Sequence, residues 1–434
     1  MLSVIACGLA ACGPHNRPAH LARTAPGDVV AISRRASSDT PRLVGIAIAH
    51  AVHAGHLSAT GAWQLTTEGG QVVVRGRGHG VWMLERRGSR IHLASRGGLA
   101  ATRTAPLVAR TVDSAAYLTW EGVRYRGTLT IFATTTGLLV VNRLPVEDYL
   151  RGVVPLEIGA VGQAEIAALE AQAVAARSYT YTRLDDPDIP PGGRRYDLLA
   201  TVTDQVYGGA DAENPTADAA VRATDGEVIT YAGRVVNAPY HSACGGMTAE
   251  PPEVWREAAQ PYLQRVSDQI PGTDRYYCEG SAHFRWTASF TSSELRATLE
   301  RYLREYATFT PRTGHPSATG LGSVRSIGVD ALTPSGRVAS LAVVTSRGTY
   351  HVRGNDIRFV LRTPRGEILH STYFLIDDEP TGPDGVERLV LSGRGNGHGV
   401  GMCQWGAIGR ARAGQDYRTI LETYYPGTVL EHEM

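Results

Sequence analysis

An α+β fold is predicted for this chain by three observations. From Leu43 to Val141, short alternating apolar runs are separated by glycine turns, the pattern of strands. From Ala164 to Leu184, Ile166, Leu169, Ala173 and Ala176 recur at three- and four-residue steps, the pattern of a long helix with one narrow buried stripe. Beyond that helix the chain returns to strands and turns with few helices between them. The expectation is a β-rich N-terminal region over 41–140, then a mixed α/β domain over 141–434.

Each element has its own signal. Gln71–Val74, Val81–Leu84, Arg90–Leu93 and Leu129–Phe132 alternate or run apolar between turn residues and read as strands. Pro145 to Val153 reads as a short helix, because Pro145 suits a first helical position and Glu147 and Asp148 suit the positive end of its dipole. The helix 164–184 stops at Asp185-Asp186-Pro187, and Pro190-Pro191-Gly192-Gly193 continues an exposed loop. Further helices are expected at 216–224, 294–306 and 417–424, the last ending at Tyr425-Pro426-Gly427. Strands are expected within 324–352 and 368–375, after a surface loop over 311–322.

The N-terminus reads differently. Residues 1–12 are short, apolar and rich in small side chains, like the end of an export signal. Leu9-Ala10-Ala11-Cys12 resembles the lipobox of bacterial lipoproteins, with Cys12 as the acylated residue; the alternative is a chance cluster of alanine and cysteine. Residues 13–40, rich in Pro, Arg, Ala and Ser, read as a flexible tether. The expectation is an exported protein of the periplasm or cell envelope, attached to a membrane only through lipid, since no later stretch reaches about 20 apolar residues.

Composition excludes some functions. The 434 residues are 43% hydrophobic and 20% charged, as in a globular protein with a full core. The 43 basic residues are all arginine, but they are scattered, matched by 42 acids, and leave a net charge of +1. There is no basic run with interleaved aromatics, so no nucleic-acid partner is expected.

Glu157 is the most informative side chain. It lies in Val153-Val154-Pro155-Leu156-Glu157-Ile158, ahead of a helix carrying Arg177. Apolar surroundings disfavour the charged form of a carboxyl and raise its pKa. A carboxyl still protonated near neutral pH can donate to a leaving oxygen, as glycosidic cleavage requires. The plainer reading is a helix cap or an ion pair with an arginine.

Five ordered stretches carry a resemblance. They are Val141 to Glu157, Ala168 to Thr180, Asp204-Gln205-Val206-Tyr207-Gly208-Gly209, Tyr240-His241-Ser242-Ala243-Cys244-Gly245-Gly246, and Gly395 to Ala407, followed by Tyr424-Tyr425-Pro426-Gly427-Thr428. Together they resemble the stage II sporulation protein D (SpoIID/LytB) family over about residues 120–434. The resemblance implies work on the bacterial cell wall, in a domain whose catalytic loop abuts the long helix. Enzymatic members are peptidoglycan lytic transglycosylases acting on glycan strands, preferentially denuded of peptide, and LytB-type members enhance a cell-wall amidase. The family's catalytic glutamate falls on Glu157, which would protonate the bond between N-acetylmuramic acid and N-acetylglucosamine and leave a 1,6-anhydro end. The alternative is a non-catalytic glycan-binding activator of an amidase.

Around Glu157 the expected substrate-binding residues are Arg177, Tyr207, Tyr240, His398, Gln404 and Trp405. Arg177 either holds the lactyl carboxylate of the muramic sugar or orients Glu157, or else makes a structural ion pair with Glu147, Asp148 or Glu170. Tyr207, Tyr240 and Trp405 offer flat faces for sugar rings or belong to the core. His398 either binds substrate or stabilises its glycine-rich loop. No cofactor is expected. His241, Cys244, Cys278, His398 and Cys403 are a conceivable zinc set, but the His-x-x-Cys spacing is loose and no metal is expected. The cysteine that precedes Gln-Val-Tyr in zinc-binding relatives is Asp204 here. In an exported protein, Cys244 and Cys278 are expected to form a disulfide, leaving Cys403 unpaired.

Overall fold

The computed structural model describes residues 41–159, 161–186, 193–311, 320–363, 365–383 and 385–432. The expected signal, Cys12 and the tether lie outside the described residues, as do 187–192 and 312–319 of the two expected loops.

The fold is α+β. Its N-terminal strands form two antiparallel sheets, apart from one short parallel edge. The seven-stranded sheet runs Leu198–Leu199, Leu43–Val52, Leu138–Pro145, Thr128–Ala133, Leu107–Thr111, Trp63–Thr67, Val72–Gly76. The six-stranded sheet gathers the strands Ala54–Ala59, Trp82–Arg87, Arg90–Ser95, Ala100–Thr104, Leu118–Trp120 and Val123–Tyr125. Four of them, Val72–Gly76, Trp82–Arg87, Arg90–Ser95 and Thr128–Ala133, lie within a few residues of the strands expected at 71–74, 81–84, 90–93 and 129–132.

Eight helices occur among the described residues: α1 (Val146–Ile158), α2 (Ile166–Leu184), α3 (Pro215–Ala223), α4 (Pro251–Val254), α5 (Ser292–Tyr306), α6 (Asp356–Val360), α7 (Gln404–Arg412) and α8 (Tyr417–Tyr424). Their caps explain their starts. Asn214, Thr291 and Asp416 each accept a backbone N–H of the first turn of α3, α5 and α8.

Helices α4, α6 and α7 were not expected, and three expected elements differ in extent or burial. Helix α1 does not stop at Val153 but runs through Pro155 to Ile158, so Glu157 stands on its last turn and not on a loop. Pro155 removes one helical donor, but burial of Val153, Val154 and Ile158 outweighs that local cost. Helix α2 has no narrow stripe. Ala168, Leu169 and nearly every residue from Ala171 to Tyr181 are buried, because neighbours cover it on all sides, among them α1, α3, α7 and α8. The strand expected from 368 begins only at Phe374; Leu369 instead donates its N–H to the Arg358 carbonyl outside any ladder.

One apolar core crosses the boundary expected near residue 140. Val44, Ile46, Leu57 and Val140 share it with Tyr149, Val153, Ala173 and Tyr424. A second core, formed by Phe290, Leu299, Leu341, Val352 and Leu391, lies in the segment between the two short strands Tyr240–His241 and Met402–Cys403. Those two strands pair in parallel, which closes the inserted segment at its base. No single described helix is long and apolar enough to cross a membrane.

Candidate functional site

Glu157 is fixed by the placement of α1. The strand ending at Pro145 feeds directly into the helix, and an ion pair holds that junction. Arg177 of α2 donates to both carboxylate oxygens of Glu147, each at 2.7 Å, and to the Glu227 carbonyl at 2.9 Å. Gly152 lets the Tyr207 ring and the Gly209 carbonyl pack against the helix; a Cβ there would lie within 2.6 and 2.7 Å of them. The Gly208 N–H donates to the Gly152 carbonyl, tying the loop 204–209 to the helix.

That loop reaches Glu157. The Val206 N–H donates to Glu157 Oε1 at 2.6 Å. The Gln404 side chain, on the first turn of α7, also contacts the carboxyl. Both favour the charged form. Burial outweighs them and pushes the Glu157 pKa up to about 7. No other carboxylate contributes to that shift. Leu156 beside it is 44% exposed, so this end of α1 reaches the surface.

A polar network underlies the carboxyl. Gln205 is fully buried. It accepts from the Tyr149 and Thr180 hydroxyls and donates to the Tyr240 hydroxyl and the Ala176 carbonyl. The phenols of Tyr149 and Tyr240 feel the Glu157 charge, and burial holds both well above their usual pKa. They therefore stay neutral while Glu157 titrates. Gln404 also donates to buried Gln172 at 3.2 Å.

The expected site residues separate into two groups. Gln404 and Tyr240 meet Glu157 through this network. Trp405 is half-buried against Gly280, following Gln404 in α7. Arg177 is 0% exposed and its guanidinium is taken by Glu147 and main-chain carbonyls, so it cannot reach a sugar carboxylate; the ion-pair reading holds, with Glu147 as partner. Tyr207 is a core residue. It donates its hydroxyl to Asn142 and packs on Tyr149 with ring centroids 5.0 Å apart. His398 donates from Nε2 to the Tyr240 carbonyl and accepts the Val400 N–H at Nδ1. With both ring nitrogens engaged by the main chain and its pKa lowered by burial to about 3, it stands as a neutral strut of the glycine-rich loop. Neither of two surface cavities, of about 490 and 680 Å³, includes Glu157; both are lined by residues of the inserted segment.

The cysteine expectation is corrected too. Cys244 and Cys278 are free, with their sulfurs 3.5 Å apart. Cys403 joins them, and so does Asp268, which no sequence signal singles out. His241 and His398 are not part of the group. Sequence reasoning also missed Tyr149, Gln205 and Val206 as supports of Glu157. All three lie inside the stretches that carry the resemblance, but nothing in their spacing says which way they point.

A family model described as Stage II sporulation protein matches residues 134–231, which include Glu157, Gln205 and Val206. A domain of unknown function (DUF8618) matches 249–401, most of the inserted segment. An uncharacterised protein of Brachyspira hyodysenteriae is 32% identical over 71% of this chain and 73% of its own. The amidase enhancer of Bacillus subtilis is 31% identical over 65% of this chain, although the match spans only 40% of the enhancer. Stage II sporulation protein D of Bacillus subtilis is 27% identical over 66% of this chain and 75% of its own. The chain belongs to the SpoIID/LytB family.

Proposed function

We propose that this protein is a peptidoglycan lytic transglycosylase with Glu157 as its single acid/base. The observation that carries the reading is a half-buried carboxyl whose pKa is pushed up to about 7 with no second carboxylate contributing. Protonated Glu157 gives its proton to the glycosidic oxygen between N-acetylmuramic acid and N-acetylglucosamine. The departing bond leaves oxocarbenium character on the muramic sugar. The same carboxylate then accepts the proton of the sugar's C6 hydroxyl as that oxygen closes on C1. The product is a 1,6-anhydro end. Hydrolysing glycosidases instead place a second carboxylate within about 5–10 Å of the first, and the cyclisation needs none. Val206 and Gln404 stabilise the carboxylate between the two proton transfers, while the neutral Tyr149 and Tyr240 phenols keep further charge away from it.

The relative named amidase enhancer supports a second reading, a glycan-binding activator of a cell-wall amidase without cleavage of its own. The two readings diverge on purified, peptide-free glycan strands incubated with the wild-type chain. Mass spectrometry finds anhydromuramic ends under the first reading. Under the second, strands co-sediment with the protein and their mass distribution does not change. On either reading the protein works at the cell envelope, and acylation of Cys12 would hold it there.

A further inference from the structure

We propose that Cys244, Cys278, Cys403 and Asp268 form a structural metal site of the zinc class at the base of the inserted segment. Four separate stretches of chain bring these side chains together, and all four are buried. Their ligand atoms lie within 4.8 Å of one another. Zinc–thiolate bonds of about 2.3 Å in a tetrahedron set ligand atoms about 3.8 Å apart. The Cys244 and Cys278 sulfurs are 3.5 Å apart, and Cys244 Sγ lies 3.4 Å from Asp268 Oδ2. A disulfide would need about 2.05 Å, and pairing any two sulfurs would strand the third beside a buried carboxylate.

The surroundings are those of thiolate ligands. Three backbone N–H groups point at sulfur: Cys244 to Cys403 Sγ at 3.1 Å, Gly246 to Cys244 Sγ at 3.3 Å, and Gly406 to Cys403 Sγ at 3.2 Å. Asp268 Oδ1 is held by the Tyr424 hydroxyl at 2.6 Å and by Arg410 at 3.1 Å, which leaves Oδ2 turned to the sulfurs. Such outer partners fix ligand orientation in metal sites. Gly406 is required for this packing, because a Cβ would lie 2.2 Å from Asp268 Oδ2 and 2.0 Å from the Tyr424 hydroxyl. Three soft sulfurs with one oxygen select zinc over magnesium or calcium. Four protein ligands leave no open position, so the site is structural and not catalytic.

Its place gives it a task. Cys244 precedes the inserted segment's core, Asp268 and Cys278 lie within its first part, and Cys403 follows it. Cys403 also caps α7, whose first residue is Gln404, the amide that contacts Glu157. A bound ion therefore fastens both ends of the insertion and fixes the start of that helix.

The test uses the full chain purified under reducing conditions. Elemental analysis should find one equivalent of zinc per chain. Replacement by cobalt should give thiolate-to-cobalt charge-transfer absorption and the d–d bands of a tetrahedral ion. Cys278→Ser and Asp268→Asn should each lose metal to a chelator that leaves the wild type loaded, although Cys7 and Cys12 remain present. A wild-type chain that takes up no stoichiometric zinc or cobalt would overturn the site. So would peptide mapping that finds Cys244 joined to Cys278 or Cys403 in the reduced preparation.

Discussion

On the proposed reading, Glu157 is one side chain set for two proton transfers. Burial favours its neutral form, and the bonds from Val206 and Gln404 limit the shift, so the balance falls near neutrality. This has a consequence for stability. An ordinary glutamate titrates near 4.3 in the unfolded chain. Between there and about 7 the folded state binds more protons than the unfolded one, so stability falls as pH rises through that window. Glu157→Gln abolishes the effect. It should leave unfolding by urea nearly unchanged at pH 4 and stabilise the protein by roughly 3 kcal/mol at pH 8. Equal effects at the two pH values would contradict the raised pKa. Gln404 acts in the opposite sense to burial, because its contact lowers the pKa. In Gln404→Ala the pKa rises further, and the alkaline limb of the activity profile should move to higher pH. A limb that stays in place would remove Gln404 from the carboxyl's surroundings. The raised pKa of Glu157 was legible in the sequence, since an acid among Val153, Val154, Leu156 and Ile158 has little else to solvate it. The direction of its supports was not. Gln205 and Tyr149 act through long-range bonds, and neither has a local sequence signature.

At the scale of elements, the junction of α1 and α2 decides where Glu157 sits. Arg177 closes that junction through Glu147, and the rest of its guanidinium ends among the carbonyls of Val221 and Glu227. Arg177→Met should cost roughly 3 kcal/mol in urea unfolding, because Glu147 and two buried carbonyls lose their donor. A sugar-binding role would instead raise KM and leave stability unchanged. The helices show what sequence periodicity can and cannot see. Helices α3, α5 and α8 were legible to within two residues, at 216–224, 294–306 and 417–424, and in the structure Asn214, Thr291 and Asp416 cap their starts. Helix α7 was not. Gly406 and Gly409 weaken its propensity, and they are there because Tyr424, Asp268 and Tyr277 approach its backbone closely. Tertiary packing chose glycine at the expense of the local signal. The last turn of α1 is hidden for the same kind of reason, because Pro155 is a stop signal that burial overrides.

Among the described residues, two large apolar cores and a small cluster of Ala47, Leu139 and Val141 organise the chain. Strands Arg90–Ser95 and Thr128–Ala133 could be read from alternation, because each buries alternate side chains, whereas Leu138–Pro145 is buried on both faces. That they share a core with α1 and α2 could not, since nothing local records which surface an apolar stripe meets. The same holds for Cys244, Asp268, Cys278 and Cys403, which are far apart in sequence and adjacent only after folding. The site joins contributions from α1, the loop 204–209 and the start of α7, so the fold as a whole keeps Glu157 half-buried. The most direct measurement compares wild type and Glu157→Gln on peptide-free glycan, reading anhydromuramic ends by mass spectrometry and strand binding by co-sedimentation. Loss of the acid should lower product release by at least about 100-fold while binding is retained. Release by the variant at the wild-type rate would contradict the assignment of Glu157 as the acid/base.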